Sequence, residues 1–155
     1  DDIISIEDEE LIVAFLDMVE NHKMVVENSG LLTVAALKHL NFKGKKVVSI
    51  LSGGNMDIIT MSSTLQHGLI ERGRIFTVSV LLPDKPGELV KVANVIAGEQ
   101  GNVVKLEHNQ FVSINRNAEV ELRITLEAFG NEHKAQIVNA LEKEGYKPKI
   151  VRPNI

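Results

Sequence analysis

Val120, Leu122, Ile124 and Leu126 alternate strictly with Glu121, Arg123, Thr125 and Glu127. Period two with one apolar and one polar side marks a half-buried strand, and it commits this part of the chain to a sheet with one face on a core. The flanking sequence supplies the rest of such a unit. Phe76, Val78, Val80 and Leu82 alternate with Thr77, Ser79 and Leu81, giving a second strand. Pro83-Asp84-Lys85-Pro86-Gly87 is a turn-rich loop. Leu89, Val92, Ala93 and Ile96 recur at helical spacing, with Gly101 beyond the helix end. Residues 102–114 read as a long strand and Arg116-Asn117 as a turn. Ile137, Val138 and Leu141 mark a helix stopped by Gly145, and residues 146–151 read as a last strand.

The resulting order, βαββαβ, predicts a ferredoxin-like α+β unit over residues 73–155. That layout hosts many unrelated functions, so it names none by itself. Glu71-Arg72-Gly73-Arg74 reads as a linker. Before it the pattern is different. Leu11, Ile12, Ala14, Phe15, Met18 and Val19 predict a helix, with Glu7 to Glu10 placing acid at its positive end. Leu31, Leu32, Val34, Ala35, Ala36, Leu37 and Leu40 predict a second helix, apolar nearly all round and therefore deeply buried. Lys43-Gly44-Lys45 is a turn, residues 46–51 read as a strand, and residues 56–70 as a third helix. Helix, strand, helix is the order of a parallel α/β sheet. One strand with three helices is a poor domain, because its edges lack neighbours. The chain also opens at Asp1 without a methionine, on residues 1–6 that already read as a strand. We expect a fragment of a larger protein.

Between the strand of residues 46–51 and the third helix stands Ser52-Gly53-Gly54-Asn55. A glycine-rich turn from a strand into a helix N-terminus brings backbone N–H groups and the helix dipole to one point. Ser52 and Asn55 add short polar groups at the carboxyl end of the strand, where open α/β sheets bind ligands. The same residues also suit a plain turn with an N-cap.

Composition excludes several classes. The 155 residues are 44% apolar, enough for a core. The net charge of −4 disfavours a nucleic-acid backbone as partner, and one Tyr with no Trp leaves few platforms for stacking bases. The absence of cysteine rules out disulfides, thiolate metal sites and a cysteine nucleophile, and fits a reducing cytoplasm. No apolar run reaches membrane-spanning length, so no membrane partner is expected. The histidines (His22, His39, His67, His108, His133) lie far apart without metal-ligand spacing, so no metal is expected.

The motifs taken together resemble the C-terminal part of the pyridoxal-phosphate-dependent threonine dehydratases (threonine ammonia-lyases) that carry one regulatory ACT domain. Asp1-Asp2-Ile3, Glu27-Asn28-Ser29-Gly30 and Leu51-Ser52-Gly53-Gly54-Asn55-Met56-Asp57 carry the first part of the resemblance. Leu82-Pro83-Asp84-Lys85-Pro86-Gly87-Glu88-Leu89 and Gly101-Asn102-Val103-Val104 carry the second. The resemblance implies that residues 1–72 are the terminal piece of a fold-type II catalytic domain and residues 73–155 an ACT regulatory domain. It implies an isoleucine-biosynthetic lyase that converts L-threonine to 2-oxobutanoate and ammonia in the cytoplasm.

The resemblance also assigns residues. Ser52 meets the pyridine nitrogen of pyridoxal 5'-phosphate, with Gly53, Gly54 and Asn55 shaping the turn. Glu27 lies near the cofactor, although the family usually has proline or a small residue where this chain has Asn28. Capping by Asn28 or Ser29 is the plainer reading of that segment. Backbone N–H groups near Gly87 hold the carboxylate of an amino-acid effector, isoleucine or valine. Asp84 and Asn102 meet its charged ends, and Leu89 and Val103 bound its side chain, with Glu88 in the same loop. The site lies across the interface of a homo-oligomer. A Pro-Gly turn and a strand-capping Asn remain the plainer alternative. Lys43 follows Asn41-Phe42 in an exposed turn and lacks the context of the family's cofactor-bearing lysine. That lysine and the glycine-rich phosphate loop have no counterpart in these residues, so no catalytic residue is expected here. The competing reading is a free-standing, non-enzymatic ACT regulator that binds amino acids.

Overall fold

Nine residues of β1 (Ile75–Pro83) run antiparallel to nine of β3 (Glu119–Glu127), with Ile75 opposite Glu127 and Pro83 opposite Glu119. The computed structural model describes residues 3–109 and 119–153. β2 (Asn102–Asn109) pairs with the outer side of β3, and β4 (Lys149–Val151) with the outer side of β1. The sheet order is therefore β2-β3-β1-β4. Helix α4 (Glu88–Gly98) joins β1 to β2, and α5 (Asn131–Lys143) joins β3 to β4. This is the expected βαββαβ arrangement. Residues 110–114 of the expected long strand, and the Arg116-Asn117 turn, lie outside the described residues.

Alternation decides which face carries the core. Phe76, Val78, Val80 and Leu82 of β1 and Val120, Leu122, Ile124 and Leu126 of β3 share one face. They are buried with Val92 and Ile96 of α4 and Ile137 and Leu141 of α5. Each such side chain contributes about 1.5–3 kcal/mol when fully removed from water. The fourth strand is shorter than expected because the helix before it claims its first residue. The Tyr146 N–H donates to the Leu141 carbonyl at 3.1 Å, closing the end of α5 instead of entering the ladder.

Two compact units result, Asp1–Glu71 and Arg72–Ile155. The first contains α1 (Asp8–Asp17), α2 (Asn28–Ala35) and α3 (Ile58–Glu71). Leu11, Ala14 and Phe15 of α1 pack with Met18, Val26, Leu31 and Ala35, and Met61 and Leu65 of α3 lie against them. A π-helical turn, Met18–His22, extends α1, and a 3-10 turn, Ala36–His39, extends α2. The N–H of Glu7 donates to the Glu10 carboxylate at 3.1 Å, and His39 Nε2 meets the same group at 2.8 Å. The Asp57 carboxylate accepts the N–H groups of Ile59 and Thr60, both at 3.0 Å, and so opens α3.

Three expectations are corrected here. The second helix is not buried all round: Gly30, Leu31 and Ala35 are covered, whereas Leu32 and Leu40 are more than two-fifths exposed. Residues 46–51 enter no ladder, and Val48 and Ile50 are 89% and 75% exposed. Residues 3–6 are likewise unpaired. The reason is common to both segments. β-propensity describes a fit to neighbouring strands, and no neighbouring strand is present for these segments among the described residues.

On the sheet face away from the helices, Thr77 and Thr125 share a hydroxyl–hydroxyl hydrogen bond of 2.9 Å. Ser79 Oγ donates to Glu121 Oε1 at 2.6 Å, and Arg123 Nε meets the same oxygen at 3.0 Å. The Ser79 hydrogen bond, then the Arg123 guanidinium, hold the Glu121 carboxyl below the usual glutamate range. A lowered folded-state pKa contributes stability above the unfolded pKa and loses it as pH falls through the folded value. We expect Glu121→Gln to melt at a lower temperature than the parent at neutral pH. The two melting curves should converge as the solution is acidified past the carboxylate range, which a pH series of thermal melts will read.

Candidate functional site

The turn of residues 52–55 is held by the start of α2. The Glu27 N–H donates to the Gly53 carbonyl at 3.2 Å. The Asn55 N–H donates to Glu27 Oε2 at 3.2 Å. The Ser29 hydroxyl donates to Glu27 Oε1 at 2.7 Å. One helical turn on, Thr33 Oγ1 donates to the Ile50 carbonyl at 3.1 Å. Residues 27, 30 and 33 therefore form one stripe of α2 laid along residues 50–55. Gly30 permits the contact: a Cβ there would stand 1.9 Å from the Ser52 carbonyl oxygen. Gly53 has φ +79, and a Cβ there would stand 2.3 Å from the Glu27 carboxyl.

This arrangement brings together Glu27, Ser52, Gly53, Gly54 and Asn55. It differs from the capping reading of residues 27–30. Glu27 is the N-cap of α2, no side chain caps the helix, and the Ser29 hydroxyl turns back to Glu27. Sequence reasoning missed Ser29 and Thr33 as partners of the turn. The signal for Thr33 was the three-residue spacing from Glu27 through Gly30, visible only once the facing segment is known, and Ser29 acts through Glu27.

The Ser52 hydroxyl is exposed and has no hydrogen-bond partner among the described residues. A free hydroxyl can donate to or accept from a ring nitrogen, and this fits a pyridine ring that is not held as a pyridinium. The space left by Gly53 is filled by Glu27, so the glycine serves the protein's own packing rather than an incoming ligand.

The second constellation is divided within one chain. Asn102 lies opposite Glu127, which lies opposite Ile75 at the start of β1. Asp84 follows Pro83 at the other end of β1. Eight residue steps at about 3.3 Å place the Asp84–Gly87 loop and Asn102 roughly 26 Å apart along the sheet. Gly87 is the N-cap of α4 with φ +92, and no side chain caps that helix. Glu88 Oε1 is 2.7 Å from Lys91 Nζ, and this contact raises the Lys91 pKa. Asn102 Nδ2 donates to Glu127 Oε2 at 3.2 Å. Glu127 was not singled out from sequence, although it ends the alternating strand on which the neighbouring residues were read. Leu89 and Val103 are both about two-fifths exposed. Lys43 is exposed in its turn. Among the described residues, no group of three His, Cys, Asp or Glu side chains is placed to hold a metal ion. No helix is long and apolar enough to cross a membrane among them.

No family model matches the chain. Over 154 residues, 98% of its length, it is 31% identical to an L-threonine ammonia-lyase of Geobacter sulfurreducens. It is 31% identical over 152 residues to an L-threonine ammonia-lyase of Thermotoga maritima, covering 97% of the chain. It is 29% identical over 152 residues, 94% of its length, to a biosynthetic L-threonine dehydratase of Pasteurella multocida. The chain spans 38% of the first two relatives and 28% of the third. Among solved structures, it is similar to a prephenate dehydratase of Streptococcus mutans (TM-score 0.42, 22% identity, 49% of this chain and 40% of that one). It is also similar to the ACT domain of a prephenate dehydrogenase of Bacillus anthracis (TM-score 0.37, 23% identity, 47% of this chain and 99% of that one).

The contact between α2 and the turn makes unequal demands on its glycines. Gly30→Ala and Gly53→Ala should each destabilise the first unit by about 1–3 kcal/mol, the usual cost of overpacking. Gly54→Ala should stay within about 0.5 kcal/mol, as at an open surface position. Its Cβ would meet only the Val25 carbonyl oxygen, at 3.4 Å. Urea denaturation of the three variants will rank them.

Proposed function

Because the chain is a relative of the threonine ammonia-lyases, we propose that it is the regulatory end of such an enzyme. On this reading residues 1–72 complete the catalytic domain and residues 73–155 form an ACT domain that senses an amino acid. The observation that carries the reading is the exposed Ser52 hydroxyl on a turn clamped from α2. A free-standing sensor has no use for that turn, which favours the enzyme over a separate regulator. Pyridoxal phosphate, when bound, supplies the electron sink for loss of the β-hydroxyl. The part of this chain is to hold the ring: Ser52 meets the pyridine nitrogen, and the clamp keeps Ser52 in place. The exposed apolar side chains Val48, Ile50, Ile58 and Ile59 suit a surface completed by the rest of the catalytic domain.

The effector site requires a second copy of the chain. β2 is an edge strand with exposed Val103, Val104 and Leu106, and its outer backbone groups are open to another strand. If two β2 strands pair antiparallel, Asn102 of one copy comes to the Asn109 end of the other. Asn109 lies opposite Glu121, which lies opposite Leu81, two residues before Pro83. The partner's Asn102 thus approaches the Asp84–Gly87 loop that is remote from it within one chain. N–H groups at the start of α4 suit a carboxylate, Asp84 suits an ammonium, and Leu89 and Val103 suit an aliphatic side chain.

Two outcomes test the reading. Light scattering should find the chain at least dimeric, and calorimetry should find isoleucine or valine bound by the parent and weakened by Asn102→Ala. A monomer, or binding untouched by Asn102→Ala, removes the shared site. Mixed with pyridoxal phosphate and threonine, the 155-residue chain should form no 2-oxobutanoate, because its lysines lack the context of a cofactor-bearing lysine. Protein-dependent turnover refutes that assignment of roles.

A further inference from the structure

We propose that Glu27 is a positioning residue: its carboxylate sets the orientation of the Ser52 turn, and hence of the Ser52 hydroxyl, without touching the cofactor itself. The inference rests on the assignment of Ser52 to the pyridine nitrogen. It departs from the expectation that Glu27 belongs to the cofactor's own contacts.

Both Glu27 carboxylate oxygens are engaged by the protein, Oε1 by the Ser29 hydroxyl and Oε2 by the Asn55 N–H. The Glu27 backbone N–H holds the Gly53 carbonyl. Residue 27 therefore grips the turn on either side of Gly54. Two adjacent glycines have more backbone freedom than any other pair, so a Gly-Gly turn left to itself samples many shapes. Within the turn, the Met56 N–H to Gly54 carbonyl bond of 2.9 Å is the sole brace supplied by the next residues. Among the described residues, Glu27 is the one side chain that hydrogen-bonds residues 52–55. It also occupies the space where a Cβ of residue 53 would lie. Ser29, in turn, fixes the carboxylate, so the line of support runs from Ser29 through Glu27 to Asn55 and the turn.

Charge is not what the geometry demands of residue 27. A glutamine can accept the Asn55 N–H through its carbonyl oxygen and donate to Ser29 through its amide nitrogen. An alanine does neither. An aspartate keeps the charge but falls one methylene short of Asn55.

The test has two arms. On the 155-residue chain, amide hydrogen exchange at Asn55 should be roughly fivefold faster or more in Glu27→Ala, the scale of losing one hydrogen bond, and close to parental in Glu27→Gln. In the full-length enzyme, Glu27→Ala should shift the absorption band of the bound cofactor in the same direction as Ser52→Ala and raise the cofactor dissociation constant. The double variant should be little worse than Ser52→Ala alone, because a misplaced hydroxyl and a missing one are equivalent. Glu27→Gln should restore the parental spectrum. A parental spectrum and affinity in Glu27→Ala beside a shifted Ser52→Ala overturns this inference alone, as does additivity in the double variant. A silent Ser52→Ala overturns the Ser52 assignment and this inference with it. If Glu27→Ala does not fold, Glu27→Asp takes its place under the same outcomes.

Discussion

The second unit depends on the pairing of β1 with β3. Those two strands are the centre of the sheet, and both edge strands attach to them. Their register, Val78 opposite Ile124 and Val80 opposite Leu122, puts Phe76, Val78, Val80 and Leu82 of β1 and Val120, Leu122, Ile124 and Leu126 of β3 on the face that α4 and α5 cover. A slip of β1 by one residue against β3 would send Thr77 and Ser79 into the core and Val78 and Val80 to the other side. The polar face reinforces the same register. The Thr77–Thr125 bond joins directly opposed residues, and the Ser79–Glu121 bond joins diagonal neighbours.

The first unit depends on a different device. Its three helices bury Phe15, Leu31 and their neighbours, which is enough to gather α1, α2 and α3. The long connection between α2 and α3 has no ladder to hold it. It is held instead by side chains of α2: Thr33 on Ile50, and Glu27 on Asn55. The missing Cβ of Gly30 allows the Ser52 backbone to lie against the helix. The loop that carries the candidate cofactor contact thus takes its shape from a helix surface and not from a strand. Val48 and Ile50 of this connection are exposed, which suits the proposed completion by further protein surface.

The two candidate sites differ in what they need. The Ser52 turn is assembled within one chain by contacts between residues 27–33 and 50–55. The residues proposed for the effector are separated along the sheet, because β1 carries the chain from one end of it to the other before the loop begins. A site that unites the Asp84–Gly87 loop with an Asn102 draws on two chains, and the open edge of β2 is the element that can bring them together. On the proposed reading, effector binding and assembly are linked, because a ligand held between two chains favours their pairing.

Sequence by itself determined the elements whose evidence is periodic and local. The alternation of residues 120–127 and 76–82 placed β3 and β1 and told which side of each faces the core. Helical spacing placed α1, α4 and α5, and the glycine pair marked the turn before α3. Only the tertiary structure decided the rest. That residues 46–51 form no ladder depends on whether a neighbouring strand exists, and propensity carries no information about neighbours. That Glu27 clamps Asn55, 28 residues on, depends on a glycine-sized gap between helix and loop. That Asp84 and Asn102 stand at opposite ends of the sheet depends on strand direction. A motif of nearby sequence positions does not encode separation in space, because one extended strand moves the chain across the whole unit.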